Sequence, residues 1–305
     1  MTHQFHGIYP VLFTFFGPDG DVDEAMTCRQ IDLCIANGVH GLVMLGFVSQ
    51  FYKLTLAEKI HLAEICADHI AGRVPFAVTL TEMSIAGQKE LVRASDRLGA
   101  SWLIAQPAVK FALPEARFHD YFLEVAAETE LPLAIQNAPD TGVYFSGQFL
   151  DALNRARPNI SMIKGEGPTS QSLAAMKGLT DRYTVFSGQH GMDLIVQLQA
   201  GAQGVVPAPV VFDAQVAIYD LMQRGGEENI AKAEALSAKT LLPLHYLTSH
   251  PNFEHGLPLQ KLFFLSRIGL GPDALFDRHP YMTRPKEALA RVRHLAGMWP
   301  ALSQP

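Results

Sequence analysis

A chain of 305 residues, 48% hydrophobic and 18% charged, has the apolar material for one large core and is not an intrinsically disordered protein. The net charge of −6 comes without any Lys/Arg cluster, which argues against a nucleic-acid partner. No run approaches the roughly 18 apolar residues a membrane span needs, and "MTHQFHGIYP" has neither a basic nor a long apolar leader region, so no membrane association and a cytoplasmic location are expected.

Eight short apolar, β-branched or aromatic runs recur along the chain: "IYPVLFTF" from Ile8, "LVMLG" from Leu42, "PFAVTL" from Pro75, "WLIAQ" from Trp102, "LPLAIQ" from Leu131, "ISMIK" from Ile160, "YTVFSG" from Tyr183 and "GVVP" from Gly204. Most gaps between them carry an amphipathic helical pattern. In Leu56 to Ile70, Ile60, Ala63, Ile65 and Ala67 fall near one face, and Glu58, Lys59, Glu64 and Asp68 fall mostly elsewhere. Continuous apolar strands alternating with helices imply a parallel sheet, and eight such units predict an α/β fold of the (β/α)8 TIM-barrel type. After Pro207 only helical patterns follow, which predicts a barrel over 1–225 and a C-terminal helical extension over 226–305. Cys28, Cys34 and Cys66 lie in helical stretches without CxxC spacing, so reduced, mostly buried thiols are expected.

Lys164 ends the sixth run, where barrel strands deliver their side chains to the active site. Residues i and i+2 of a strand share a face, so Lys164 and Glu166 are expected together in the interior, their Cα atoms roughly 6 to 7 Å apart. A lysine in apolar surroundings has its charged form disfavoured, and the neutral amine attacks ketones to form a Schiff base. The structural alternative is a lysine paired with Glu166 only to stabilise the barrel.

These features resemble the dihydrodipicolinate synthase/N-acetylneuraminate lyase superfamily over nearly the whole chain. The resemblance is carried by "GIYPVLFTFFGPDGDVD", "GVHGLVMLG", "LTLAEK", "LGASWLIAQP", "LPLAIQNAPDTG" and "MIKGEG". It implies the barrel with a helical extension, a dimer or tetramer, and Lys164 as the Schiff-base lysine for a 2-keto acid, with no cofactor beyond that covalent imine. The departures are informative. Where the family's second-strand loop has threonines that hold the substrate carboxylate, this chain has "GFVSQ", so Phe47, Val48, Ser49 and Gln50 are the substrate-binding candidates there. Gln136 occupies the place of a relay tyrosine, and Val109 follows the fourth-strand proline where a second tyrosine is usual. Gln136 with "NAPDTG", Glu166 and "RHPYMTRPKEAL" is similar to the L-2-keto-3-deoxyarabonate dehydratases of the superfamily. That similarity implies a Schiff-base lyase that dehydrates a 2-keto-3-deoxy sugar acid, with Glu166 as proton shuttle. A retro-aldol lyase or synthase using pyruvate, and an altered barrel that merely binds a small acid, are the alternatives.

Gly188 and His190 of "SGQHG" follow the seventh strand and complete the substrate-binding candidates. His245, His250, His255 and His279 lack metal-ligand spacing, so no metal is expected. "GPDG" and "GLGPDA" read as turns.

Overall fold

The computed structural model describes residues 4–107, 113–138, 143–167, 178–250, 253–280 and 285–304. Each of the eight apolar runs overlaps a strand: β1 (Gly7–Ile8), β2 (Leu42–Met44), β3 (Phe76–Leu80), β4 (Trp102–Ala105), β5 (Leu133–Asn137), β6 (Ile160–Gly165), β7 (Thr184–Ser187) and β8 (Gly204–Val205). They form one sheet in the order β1-β8-β7-β6-β5-β4-β3-β2, every named pair parallel. The chain beyond β1 reaches the far edge of that order: Val11 bridges Val43 in parallel, and Leu12 N–H donates to Val43 O at 2.8 Å. The curled sheet is consistent with a (β/α)8 barrel. Pro10 has no N–H to give, but Tyr9 and Val11 on either side donate to Val205 and Pro207 at 3.0 and 2.8 Å and carry the seam with β8 forward. A Cβ at Gly204 would collide with Gly7 O across this seam.

The rings of Tyr9, Trp102 and Phe186 lie 5.2 to 5.8 Å apart. They come from β4, β7 and the chain just after β1, so they can meet only across the sheet's enclosed face. Phe186 is in register with Lys164, which is in register with Gln136. Residues in register point to the same side, so Lys164 and Gln136 belong to that interior.

Helices α1 (Glu24–Ala36), α2 (Leu56–Ile70), α3 (Ile85–Arg97), α4 (His119–Ala126), α5 (Gly147–Ala156), α6 (Leu194–Gln199) and α7 (Phe212–Arg224) alternate with the strands. Thr55 starts α2 with a capping box: its hydroxyl accepts from Glu58 N–H at 3.2 Å and its own N–H donates to Glu58 Oε2 at 2.8 Å. The sequence pattern misplaces this helix's inner face. Lys59, Leu62, Ala63, Cys66 and Ile70 are the buried positions, and Lys59, expected among the polar residues, is tucked in against Glu82 at 2.5 Å. A lysine stem covers apolar surface as a hydrocarbon does, so a charge at its tip does not decide its face. Cys34 and Cys66 are buried, Cys28 partly so, and all three are free thiols.

The predicted C-terminal helices are present as α8 (Glu227–Thr248), α9 (Phe253–Arg267) and α10 (Lys286–Gly297). Leu257, Leu262, Phe263, Phe264 and Leu265 of α9 are fully buried. Arg267 grips Asp213 of α7 through two hydrogen bonds of 2.7 Å. A second anchor is a buried cluster in which Lys53 Nζ lies 2.8 Å from Glu254 Oε2 and 3.0 Å from Asp277 Oδ1. No helix among the described residues is long and apolar enough to cross a membrane.

Candidate active site

A cavity of ≈ 280 Å³ opens at the C-terminal ends of the strands, with Lys164 and Glu166 in its wall. Pairing between β5 and β6 continues beyond the regular strand, Glu166 N–H donating to Asn137 O at 2.9 Å. The extended backbone keeps residues 164 and 166 on one face, as i and i+2 require. Lys164 is buried, and its Nζ lies 2.5 Å from Glu166 Oε1. Gln136 Nε2 donates to the same carboxylate oxygen at 3.1 Å, and Gln106 Nε2 donates to Gln136 Oε1 at 2.9 Å. Burial pushes the Glu166 carboxyl up, but the adjacent Lys164 charge and its hydrogen bond more than offset this and hold it below the usual carboxylate range.

His190 shares the wall. Burial lowers its pKa to about 4, with Lys164 reinforcing the shift and Glu166 opposing it, so the imidazole is neutral near pH 7. Its Nδ1 is buried without a hydrogen-bond partner among the described residues. Gln189, His190 and Gly191 all have positive φ, and Gln215 Nε2 holds this turn through His190 O at 2.6 Å. Gly188 lies against Glu166. A Cβ there would stand 2.5 Å from Glu166 Cδ and 2.9 Å from its Oε1, so the missing side chain makes the room in which Glu166 lies.

The loop after β2 divides. Phe47 and Val48 line the cavity, whereas Ser49 and Gln50 do not. Ser49 is buried behind the wall with its hydroxyl donating to Leu12 O at 2.6 Å, and the Ser49 and Gln50 amides donate to Gly46 O and Phe47 O within a short 3₁₀ turn. A buried hydroxyl needs a partner, and a backbone carbonyl of the first strand's loop supplies it here. Gln50, left-handed at φ 51°, turns its amide toward the C-terminal cluster, where Lys261 donates to its Oε1 and its Nε2 lies 3.3 Å from Glu254 Oε1. Val109, most of "NAPDTG" and residues 281–284 lie outside the described residues.

Several contributors were not foreseen, Gln189 and Met192 among them. Thr248, in the last turn of α8, lines the cavity, and Gln106 stands behind Gln136. Among the described residues no group of three or more His, Cys, Asp or Glu side chains could hold a metal ion.

The model of the dihydrodipicolinate synthetase family matches residues 4–295. The chain belongs to that family. Its members are lyases and aldolases that form a lysine Schiff base, and this chain is an enzyme of that kind. L-2-keto-3-deoxyarabonate dehydratase of Azospirillum brasilense is 29% identical over 217 residues, 67% of this chain and 68% of the relative. YagE of Escherichia coli (strain K12), named as a candidate 2-dehydro-3-deoxy-D-gluconate aldolase, is 30% identical over 234 residues, 75% of this chain and 77% of the relative. The crystal structure of YagE in complex with pyruvate superposes with a TM-score of 0.84 at 24% identity, covering 97% of this chain and 99% of that one.

Proposed function

We propose that this enzyme dehydrates a 2-keto-3-deoxy sugar acid through an imine on Lys164, within a (β/α)8 barrel and without an external cofactor. The observation that carries the reading is the buried Lys164–Glu166 pair at 2.5 Å, with the non-ionisable Gln136 beside it. Transfer of an ammonium proton from Lys164 to Glu166 frees the lone pair that attacks the C2 carbonyl. Loss of water gives the iminium, which draws electron density from C3. Glu166, once more a carboxylate, removes a C3 proton to leave an enamine. The enamine then expels the C4 hydroxyl as water, the proton coming from the Glu166 carboxyl. Aldol cleavage instead needs a base on the C4 hydroxyl, and Gln136 cannot serve as one.

Phe47 and Val48 give the substrate an apolar wall, and His190, neutral and with an unpaired buried nitrogen, is assigned to a substrate oxygen. With Ser49 turned away, the carboxylate contact falls to groups that do line the cavity. The name of the Azospirillum relative supports the dehydratase reading. The test is borohydride reduction in the presence of pyruvate or a 2-keto-3-deoxy pentonate, read by intact mass, together with NMR of the products. An adduct on Lys164 and a dehydrated semialdehyde are expected. Stoichiometric pyruvate plus an aldehyde would establish an aldolase.

A further inference from the structure

Two short runs of hydrogen bonds, joined through residue 106, link helix α3 to the catalytic pair. Gln88 Nε2 donates to Tyr121 OH at 2.7 Å, and Tyr121 OH donates to the backbone oxygen of Gln106 at 3.0 Å. The side chain of Gln106 donates to Gln136, and Gln136 donates to Glu166. Gln88 and Gln136 are fully buried and Gln106 nearly so.

The polarity of the second run is fixed at one end. An ionised carboxylate only accepts, so Gln136 must turn its NH₂ toward Glu166. Its carbonyl then faces Gln106, which must present an NH₂ in turn. A primary amide can rotate about its terminal torsion and offer either end with nearly the same shape. Gln106 adds to the carboxylate's own preference, because the second orientation of Gln136 would set two NH₂ groups against each other as well as the Gln136 carbonyl against a carboxylate.

We propose that Gln106 is a positioning residue: by holding the amide of Gln136 with its donor toward Glu166, it keeps Glu166 ionised and aimed at Lys164. This role deepens the dehydratase reading and rests on it for its catalytic meaning, but its physical content is the proton affinity of one carboxyl. Among the described residues, the groups facing Glu166 are Lys164 from β6, His190 and the Gln189 backbone N–H from beyond β7, and the Gln136 amide from β5. Of these, Gln106 acts on the amide alone.

The experiment is an NMR titration of the Glu166 carboxyl in ¹³C-glutamate-labelled full-length protein, assigned by loss of the signal in Glu166→Gln. Gln106→Met keeps the volume and removes the donor, and it should raise the Glu166 pKa by about one unit, the effect of weakening one hydrogen bond to the charged form. Gln136→Met should raise it at least as far, and the double variant should titrate like Gln136→Met alone. If Gln106→Met does not fold, Gln106→Asn, a methylene too short to reach Gln136, carries the same expectation. A wild-type titration in the Gln106 variant, or a shift that adds to that of Gln136→Met, overturns the proposal. Borohydride labelling of the wild type is scored separately: a shifted Glu166 with no imine on Lys164 would keep the positioning role and remove the Schiff-base reading.

Discussion

Replacing Gly188 by alanine tests whether the placement of Glu166, and not merely its presence, matters. The new Cβ would lie 2.5 Å from Glu166 Cδ, roughly 1 Å inside ordinary carbon–carbon contact. The glycine has φ −129°, outside the left-handed region, so the substitution acts by crowding the carboxylate. Withdrawal of Glu166 by about 1 Å would stretch the 2.5 Å contact with Lys164 past hydrogen-bond length, and a displacement of that size at a reacting group costs on the order of 10²-fold in rate. Turnover of a 2-keto-3-deoxy sugar acid should fall by about that factor. Borohydride should still label Lys164, and the urea midpoint should fall, because the clash falls on Cγ and Cδ of a buried carboxylate held by Lys164 and Gln136, so turnover is read on protein shown to be folded. Unchanged turnover in a folded Gly188→Ala protein would refute the assignment of Glu166 as proton shuttle at its observed position.

Glu166→Gln should lose roughly 10²-fold or more in dehydration rate, and Lys164→Ala should take up no borohydride adduct; labelling of the alanine variant would move the imine elsewhere. His190 has a folded pKa of about 4 against 6.5 for the free side chain, so the unfolded chain binds the extra proton between those values. Its contribution to stability is complete above about pH 6.5 and is lost as pH falls through 4, on the order of 3 kcal/mol in full. Urea denaturation of His190→Asn should therefore be less acid-sensitive over that window, and identical pH dependence in the two proteins would count against the buried neutral imidazole. Lys53→Met removes the ammonium shared by Asp277 and Glu254 and should destabilise by about 1–3 kcal/mol, since both carboxylates keep other hydrogen-bond donors; an unaltered denaturation midpoint would mean that the ion pairs contribute nothing.

The eight strands were legible because strands covered on both faces must be apolar at nearly every position, and "LVMLG" or "WLIAQ" can hardly be read otherwise. Lys164 stood out for the complementary reason, a charge at the end of such a run. The inner face of α2 was less legible: Lys59 behaves as hydrocarbon along most of its length, and the pattern assigned it by its charged tip. The bond from Ser49 to Leu12 O was not legible, because a hydroxyl's chemistry is visible in sequence and its direction is not. Gln106 had left a faint signal, a glutamine ending the buried "WLIAQ" run as Gln136 ends "LPLAIQ". The Lys53–Glu254–Asp277 cluster had none, since its members are brought together only by the packing of α9 and the segment after it against the loop after β2.

Thr248 reaches the cavity from α8, whereas Lys164 and Glu166 belong to β6 and its edge. The chemistry and part of the container are thus inherited from stretches of chain more than eighty residues apart. Substitution in the last turn of one helix can therefore reshape that part of the wall while Lys164 and Glu166 keep their identity and their mutual contact.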